Sequence, residues 1–169
     1  PERLDLAIDL PSDTFGPGFS ILTDFPARFL YGAPADGLPI TGRLALRPTQ
    51  TLPDYPGYAF GRHDAAPEAE FSSFGPLLTN TQGRTATGRL FPEFDGTPYP
   101  GTLTVTAEIT EASGRPVERR EIVTILPDGV ALGIRPLFDG ALPEGVEAPF
   151  ELIAIGVSDP VAATWTLNR

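Results

Sequence analysis

Three groups of residues in this 169-residue chain have side chains that could do chemistry, and each meets a simpler explanation. His63-Asp64 has the pairing of an acid–base or metal-binding dyad. His63 is the one histidine, however, and there is no cysteine to complete a zinc sphere. No serine stands in a Gly-x-Ser-x-Gly elbow for it to activate, so His63 reads as a solvated loop residue. Asp5, Asp9, Asp13 and Asp24, and Glu68 with Glu70, are the residue types of glycoside hydrolysis or calcium ligation. The strand carboxylates recur at the regular spacing of a solvated strand face, and no Asp-x-Asp-x-Asp-Gly loop is present. Gly16-Pro-Gly18 and Gly32-Ala-Pro-Ala-Asp-Gly37 are rich in glycine but lack the lysine and following helix of a phosphate cradle, so they read as turns. The expectation is a non-enzyme with no catalytic residue, no cofactor and no metal.

The aromatic residues suggest contact rather than catalysis. Tyr55, Tyr58 and Phe60 form the one plausible aromatic platform, and Trp165 is the single tryptophan. Carbohydrate-binding sandwiches line one exposed face with several rings, so these four residues read instead as an interdomain contact.

Composition narrows the class. With 41 % hydrophobic residues the chain can build a core, and 20 prolines with 18 glycines between apolar runs suit many short strands joined by tight turns. The net charge of −10 argues against nucleic acid and against direct membrane contact, because both present anions. No apolar run reaches the length of a membrane span, and no export signal is visible. The abrupt ends at Pro1 and Arg169 read as those of a piece cut from something longer.

The elements that must position these residues are strands. Phe25, Ala27, Phe29 and Tyr31 alternate along one run, and Ile40, Gly42, Leu44 and Leu46 along the next. The turn chemistry of Gly32 to Gly37 between them predicts a hairpin with a long connection. Leu4, Leu6, Ile8 and Leu10 alternate with Asp5 and Asp9 in an earlier strand. Periodicity then vanishes from 48 to 76, a stretch read as a long loop insertion folded over a sheet edge or a neighbouring domain. Beyond it come a strand over 84–91, with Ala86, Gly88 and Leu90 sharing a face, and a hairpin pairing Leu103–Ile109 with Val117–Leu126. Six or seven strands suit an immunoglobulin- or fibronectin III-like β-sandwich over 1–127. Asp128-Gly129 marks a boundary, and three further strands at 130–138, 150–157 and 163–167 make only half a sandwich.

Tyr31, Gly32, Pro34, Gly37, Ile40 and Gly42 form a string that resembles the second and third strands of macroglobulin domains in bacterial α2-macroglobulins. Thr79-Asn-Thr-Gln-Gly-Arg-Thr85 resembles the turn before a later strand of such a domain. Gly133-Ile-Arg-Pro-Leu-Phe-Asp-Gly140, with Pro143-Glu-Gly145 and Ala148 to Ala154, resembles the opening of the next one. The resemblance implies an all-β chain: a macroglobulin-like sandwich at 1–127 with the insertion at 48–76, then the N-terminal half of a second at 128–169. It implies a structural module of a protease-trapping endopeptidase inhibitor, whose partners are neighbouring macroglobulin domains and, through the full-length protein, target proteases. A Cys-x-x-Gln thioester segment cannot lie in this chain, which has no cysteine. The location implied is periplasmic or extracytoplasmic, with a membrane-anchored lipoprotein parent as one option. The alternative is a stand-alone β-sandwich adhesin or carbohydrate-binding module. Residues 128–169 alone would expose an apolar face, so they are expected to pack on the first domain or to self-associate with a second copy.

Overall fold

The structure is a computed structural model describing residues 3–18, 20–62, 64–90, 99–111, 114–164 and 166. Among these, every regular element is a strand: β1 (Leu4–Leu6), β2 (Thr14–Phe15), β3 (Ser20–Phe29), β4 (Pro39–Pro48), β5 (Ala59–Phe60), β6 (Glu70–Leu78), β7 (Arg84–Leu90), β8 (Gly101–Ile109), β9 (Val117–Ile125), β10 (Ala131–Pro136) and β11 (Phe150–Ile155). One sheet has the order β1-β3-β7 and a second the order β2-β9-β8-β4-β6. They face each other as an immunoglobulin-like sandwich. A third sheet, β11-β10-β5, follows.

The sandwich core is made by the alternation along its strands. Ile21, Phe25 and Ala27 of β3 are buried with Leu4 and Leu6 of β1 in one sheet. Ile40, Leu44 and Leu46 of β4, Leu103, Val105, Ala107 and Ile109 of β8, and Val117 and Val123 of β9 come from the other. Each large side chain so buried contributes about 1.5–3 kcal/mol. The β8–β9 hairpin has the expected register, running from Gly101 opposite Ile125 to Ile109 opposite Val117.

Three expectations change. First, β3 and β4 do not form a hairpin, because β3 pairs with β1 and β7 whereas β4 pairs with β8 and β6. Alternation marks which face of a strand is apolar, but two strands sharing a core can lie in one sheet or in opposite sheets. The connection crosses between the sheets and is clamped by the turn at 79–84. The Thr79 hydroxyl donates to the Ala35 carbonyl and accepts from the Leu38 N–H at 2.9 Å, while the Ala27 N–H donates to the Gly83 carbonyl at 2.7 Å. Gly83 holds φ at +71°, and a Cβ there would run into the Ala27 carbonyl oxygen, so both conformation and space require glycine.

Second, Tyr31 lies beyond the end of β3 and is 78 % exposed, its ring stacked on Phe29 at 5.2 Å. Third, residues 70–76 belong to β6, an edge strand paired with β4, so the irregular insertion ends before Glu70. An edge strand covered only in part shows weak periodicity, and a register shift between Ile40 and Gly42 breaks what alternation remains. Along β7 Ala86 and Gly88 do share a face, and it is the solvent side: Thr85 and Thr87 point inward, because they lie opposite Phe25 and Thr23.

The C-terminal sheet also differs in its third strand. Ala163, Thr164 and Thr166 carry no strand, and Trp165 and Leu167 lie outside the described residues. β5, from the 48–69 loop, supplies the strand instead, with Phe60 opposite Gly133 and Ala59 opposite Ile134.

Candidate functional site

The residues singled out for acid–base chemistry do not converge. His63 lies outside the described residues. Asp64 is bound by Arg62 at 3.1 Å on the surface. On the outer face of the first sheet Asp5 pairs with Arg28 at 3.0 Å, and Asp24 and Asp9 both meet Arg84. These carboxylates are solvated, as expected, but also held by arginines between 23 and 75 positions away in a pattern that spacing alone did not reveal. Among the described residues no group of three or more His, Cys, Asp or Glu could hold a metal ion, and no helix is long and apolar enough to cross a membrane.

The aromatic residues do converge. The Thr49 N–H donates to the Pro100 carbonyl at 2.9 Å and the Phe60 N–H to the Gln50 carbonyl at 2.8 Å, which ties both ends of the loop to the sandwich side of the junction. Between them the loop closes on itself, the Tyr55 N–H donating to the Leu52 carbonyl at 3.0 Å. Leu52, Tyr58, Phe60 and Ala131 form a second buried cluster, flanked by Tyr55, Leu126, Ile153 and Ile155. The Tyr55 ring meets Phe60 edge-on at 5.8 Å, and Tyr58 lies 6.5 Å from it. Phe60 is 0 % exposed.

Two glycines make room for this contact. A Cβ on Gly133 would come within 2.7 Å of the Phe60 ring, so β10 can pass over that ring only where it lacks a side chain. A Cβ on Gly57, which holds φ at +84°, would lie 3.0 Å from Arg135 Cδ.

Arg135 of β10 closes the contact electrostatically. Its guanidinium lies 4.7 Å from the Tyr58 ring centroid and hydrogen-bonds Glu151 across the β10–β11 pair. That hydrogen bond from Arg135, with a second from the Tyr58 hydroxyl, holds the Glu151 carboxyl below the ordinary glutamate range. Burial and then the hydrogen bond to Glu151 push the Tyr58 phenol above its ordinary value. A carboxyl depressed in the folded state stabilises it above its unfolded pKa, and loses that contribution as pH falls through the depressed value. Glu151→Gln is therefore expected to lower the urea midpoint at neutral pH, with the gap from the unmodified chain closing as the pH drops through the lower acid range. A gap that stays constant with pH would mean that the ionised carboxylate is not what Arg135 and Tyr58 require.

The opposite face of the C-terminal sheet is open. Leu132, Ile134, Phe150 and Leu152 are each between 43 and 51 % exposed, because they alternate with the residues that face Phe60. Of the four residues read as contact, then, Tyr55, Tyr58 and Phe60 lie together against β10, while Trp165 is outside the described residues. The sequence reading missed Arg135, Glu151 and Gly133. The signal available was the small residue pair Ala131 and Gly133 alternating with larger ones, which marks the covered side of β10.

Comparison with known proteins gives these elements a family. The model of the bacterial alpha-2-macroglobulin MG5 domain matches residues 2–127. An alpha-2-macroglobulin of Xylella fastidiosa is 30 % identical over 161 residues, which is 93 % of this chain and 10 % of that protein. The Escherichia coli alpha-2-macroglobulin is 30 % identical over 141 residues, covering 82 % of this chain and 8 % of its own length. Among solved structures, Escherichia coli alpha-2-macroglobulin activated by porcine elastase is similar with a TM-score of 0.70 at 28 % identity, over 91 % of this chain and 14 % of that one. The chain thus spans about a tenth of the length of the curated relatives it matches. With the family model aligned over residues 2–127 and the strand order of a β-sandwich beneath it, the chain belongs to the bacterial alpha-2-macroglobulin MG5 domain family.

Proposed function

We propose that this chain is a non-catalytic structural module of a bacterial alpha-2-macroglobulin, and that the whole protein inhibits proteases by trapping them. In this reading residues 1–127 are one macroglobulin domain and residues 128–169 are the first half of the next. The role of the module is to hold the two in register. The observation that carries it is the seating of Phe60 beneath Gly133, where a loop of the sandwich completes the edge of the following sheet. Main-chain pairing sets the register of such a junction, and a buried ring resists sliding. The natural cover of the open face at Leu132, Ile134, Phe150 and Leu152 is the remainder of the parent, and in the isolated chain that face supports self-association. The location that goes with this role is periplasmic or otherwise extracytoplasmic. A carbohydrate-binding module is less well supported, since Tyr58 and Phe60 are buried and offer no exposed platform.

The test compares the isolated chain, its full-length parent and the parent carrying Phe60→Ala in a protease assay with a protein substrate. The isolated chain is expected to inhibit nothing, the parent to inhibit, and the variant parent to inhibit more weakly. Inhibition by the isolated chain, or an unimpaired variant, would overturn the reading.

A further inference from the structure

One basin on the outer face of the five-stranded sheet has a local charge opposite to that of the chain as a whole. Arg43 and Arg47 of β4 and Arg120 of β9 line a shallow basin of about 550 Å³, with Phe71, Thr104 and Thr106 among its other walls. The net charge of the chain is −10, yet this basin holds three guanidinium groups against one carboxylate, Glu118, which sits 3.3 Å from Arg43. Arg47 lies over the exposed Phe71 ring at 5.2 Å, and Arg120 forms no ion pair among the described residues.

Strand register arranges these groups in three rows. Arg120, Thr106 and Arg43 lie opposite one another across β9, β8 and β4. The next outward row runs Ile122, Thr104, Ala45 and Phe71, and the third has Thr124, Thr102 and Arg47. Apart from Thr104 the middle row is apolar, and it is open, with Ile122 and Phe71 both more than half exposed. The first and third rows are four residues apart along β4, roughly 13 Å at the strand rise of about 3.3 Å per residue.

We infer that this face is a docking surface for an extended acidic peptide segment with carboxylates at positions i and i+4 and an apolar side chain at i+2. Such a segment has the same rise as the strands beneath it, so its two carboxylates fall over Arg43 with Arg120 and over Arg47. The side chain between them sits over Ala45 and Thr104, in the middle of the row that Ile122 and Phe71 flank. Carboxylates suit arginine because the guanidinium fork donates two parallel hydrogen bonds to their oxygens. The apolar middle row favours a peptide over a nucleic acid backbone or a lipid headgroup, which would leave Ile122 and Phe71 uncovered. This inference is independent of the junction at Phe60, which lies on the third sheet.

The test is fluorescence anisotropy of a labelled Ser-Glu-Ser-Phe-Ser-Glu-Ser peptide titrated with the intact chain at low salt. Saturable binding is expected, weakened about tenfold by Arg47→Glu and by Arg120→Glu, and unchanged by Arg28→Glu on the other sheet. A scrambled peptide with adjacent glutamates is expected to bind more weakly, because it cannot span the two rows. Arg120→Gln provides a milder variant, expected to fall between the unmodified chain and Arg120→Glu, with circular dichroism reporting that each variant is folded. The inference is overturned by failure to saturate, by equal affinity of the scrambled peptide, by insensitivity to the variants at Arg47 and Arg120, or by equally tight binding of a short DNA duplex or of phosphatidylglycerol vesicles.

Discussion

Phe25→Ala is expected to remove about 3–5 kcal/mol of stability, the range for deleting a fully buried phenylalanine when the core closes only partly over the cavity. Phe25 is 0 % exposed and its ring stacks on Phe74 of β6 at 5.2 Å, so it bridges the two sheets of the sandwich. Loss of that bridge removes transfer energy and leaves a void between the layers that neither backbone can fill. Phe29→Ala should have a smaller effect, about 1–3 kcal/mol, since Phe29 is only half-buried near the end of β3. Urea denaturation of both variants checks this ordering. Equal losses would mean that Phe29 is as deeply packed in the core as Phe25, and a loss below about 1.5 kcal/mol for Phe25→Ala would mean that the core relaxes into the cavity.

Phe60→Ala is expected to be equally large in energy but local in extent. The ring is the centre of the small cluster with Leu52, Tyr58 and Ala131, and this cluster is separate from the sandwich core. Its removal should lower the opening free energy of β10 and β11 by about 3–5 kcal/mol while leaving β8 protected, a difference that native-state hydrogen exchange resolves. Gly133→Val attacks the same contact from the other side, because its side chain needs the space that Phe60 occupies. If β8 and β10 lost protection together in either variant, residues 1–127 and 128–169 would form one cooperative unit rather than two.

Much of this was legible before the structure. Leu103, Val105, Ala107 and Ile109 alternate with threonines and glutamate so regularly that both the strand and its buried face followed from period two alone. The β8–β9 pair was equally plain, because the short connection between two such runs leaves few alternatives to antiparallel pairing. That Tyr58 and Phe60 would be covered was recognisable too, since rings of that size in an otherwise irregular segment seldom remain in water.

What required tertiary structure was the identity of partners. Alternation along β3 and β4 states that each has an apolar face, and both faces do reach one core, but it is silent on whether the strands hydrogen-bond to each other. They do not, because the 30–38 connection is drawn across the sandwich by Thr79 and Gly83, residues more than forty positions downstream. The same holds for the loop at 48–69: composition indicated that its rings must be covered, and only the fold revealed that β10 covers them and that Ala59-Phe60 becomes a strand in doing so. The three arginines on the outer sheet face belong to β4 and β9, and only sheet register brings them together. Local sequence determined the conformation and apolar face of each strand, because backbone sterics and side-chain alternation act over a few residues. Sheet membership, borrowed edges and clustered charges were decided by the tertiary structure, because they depend on contacts between segments that the chain keeps far apart.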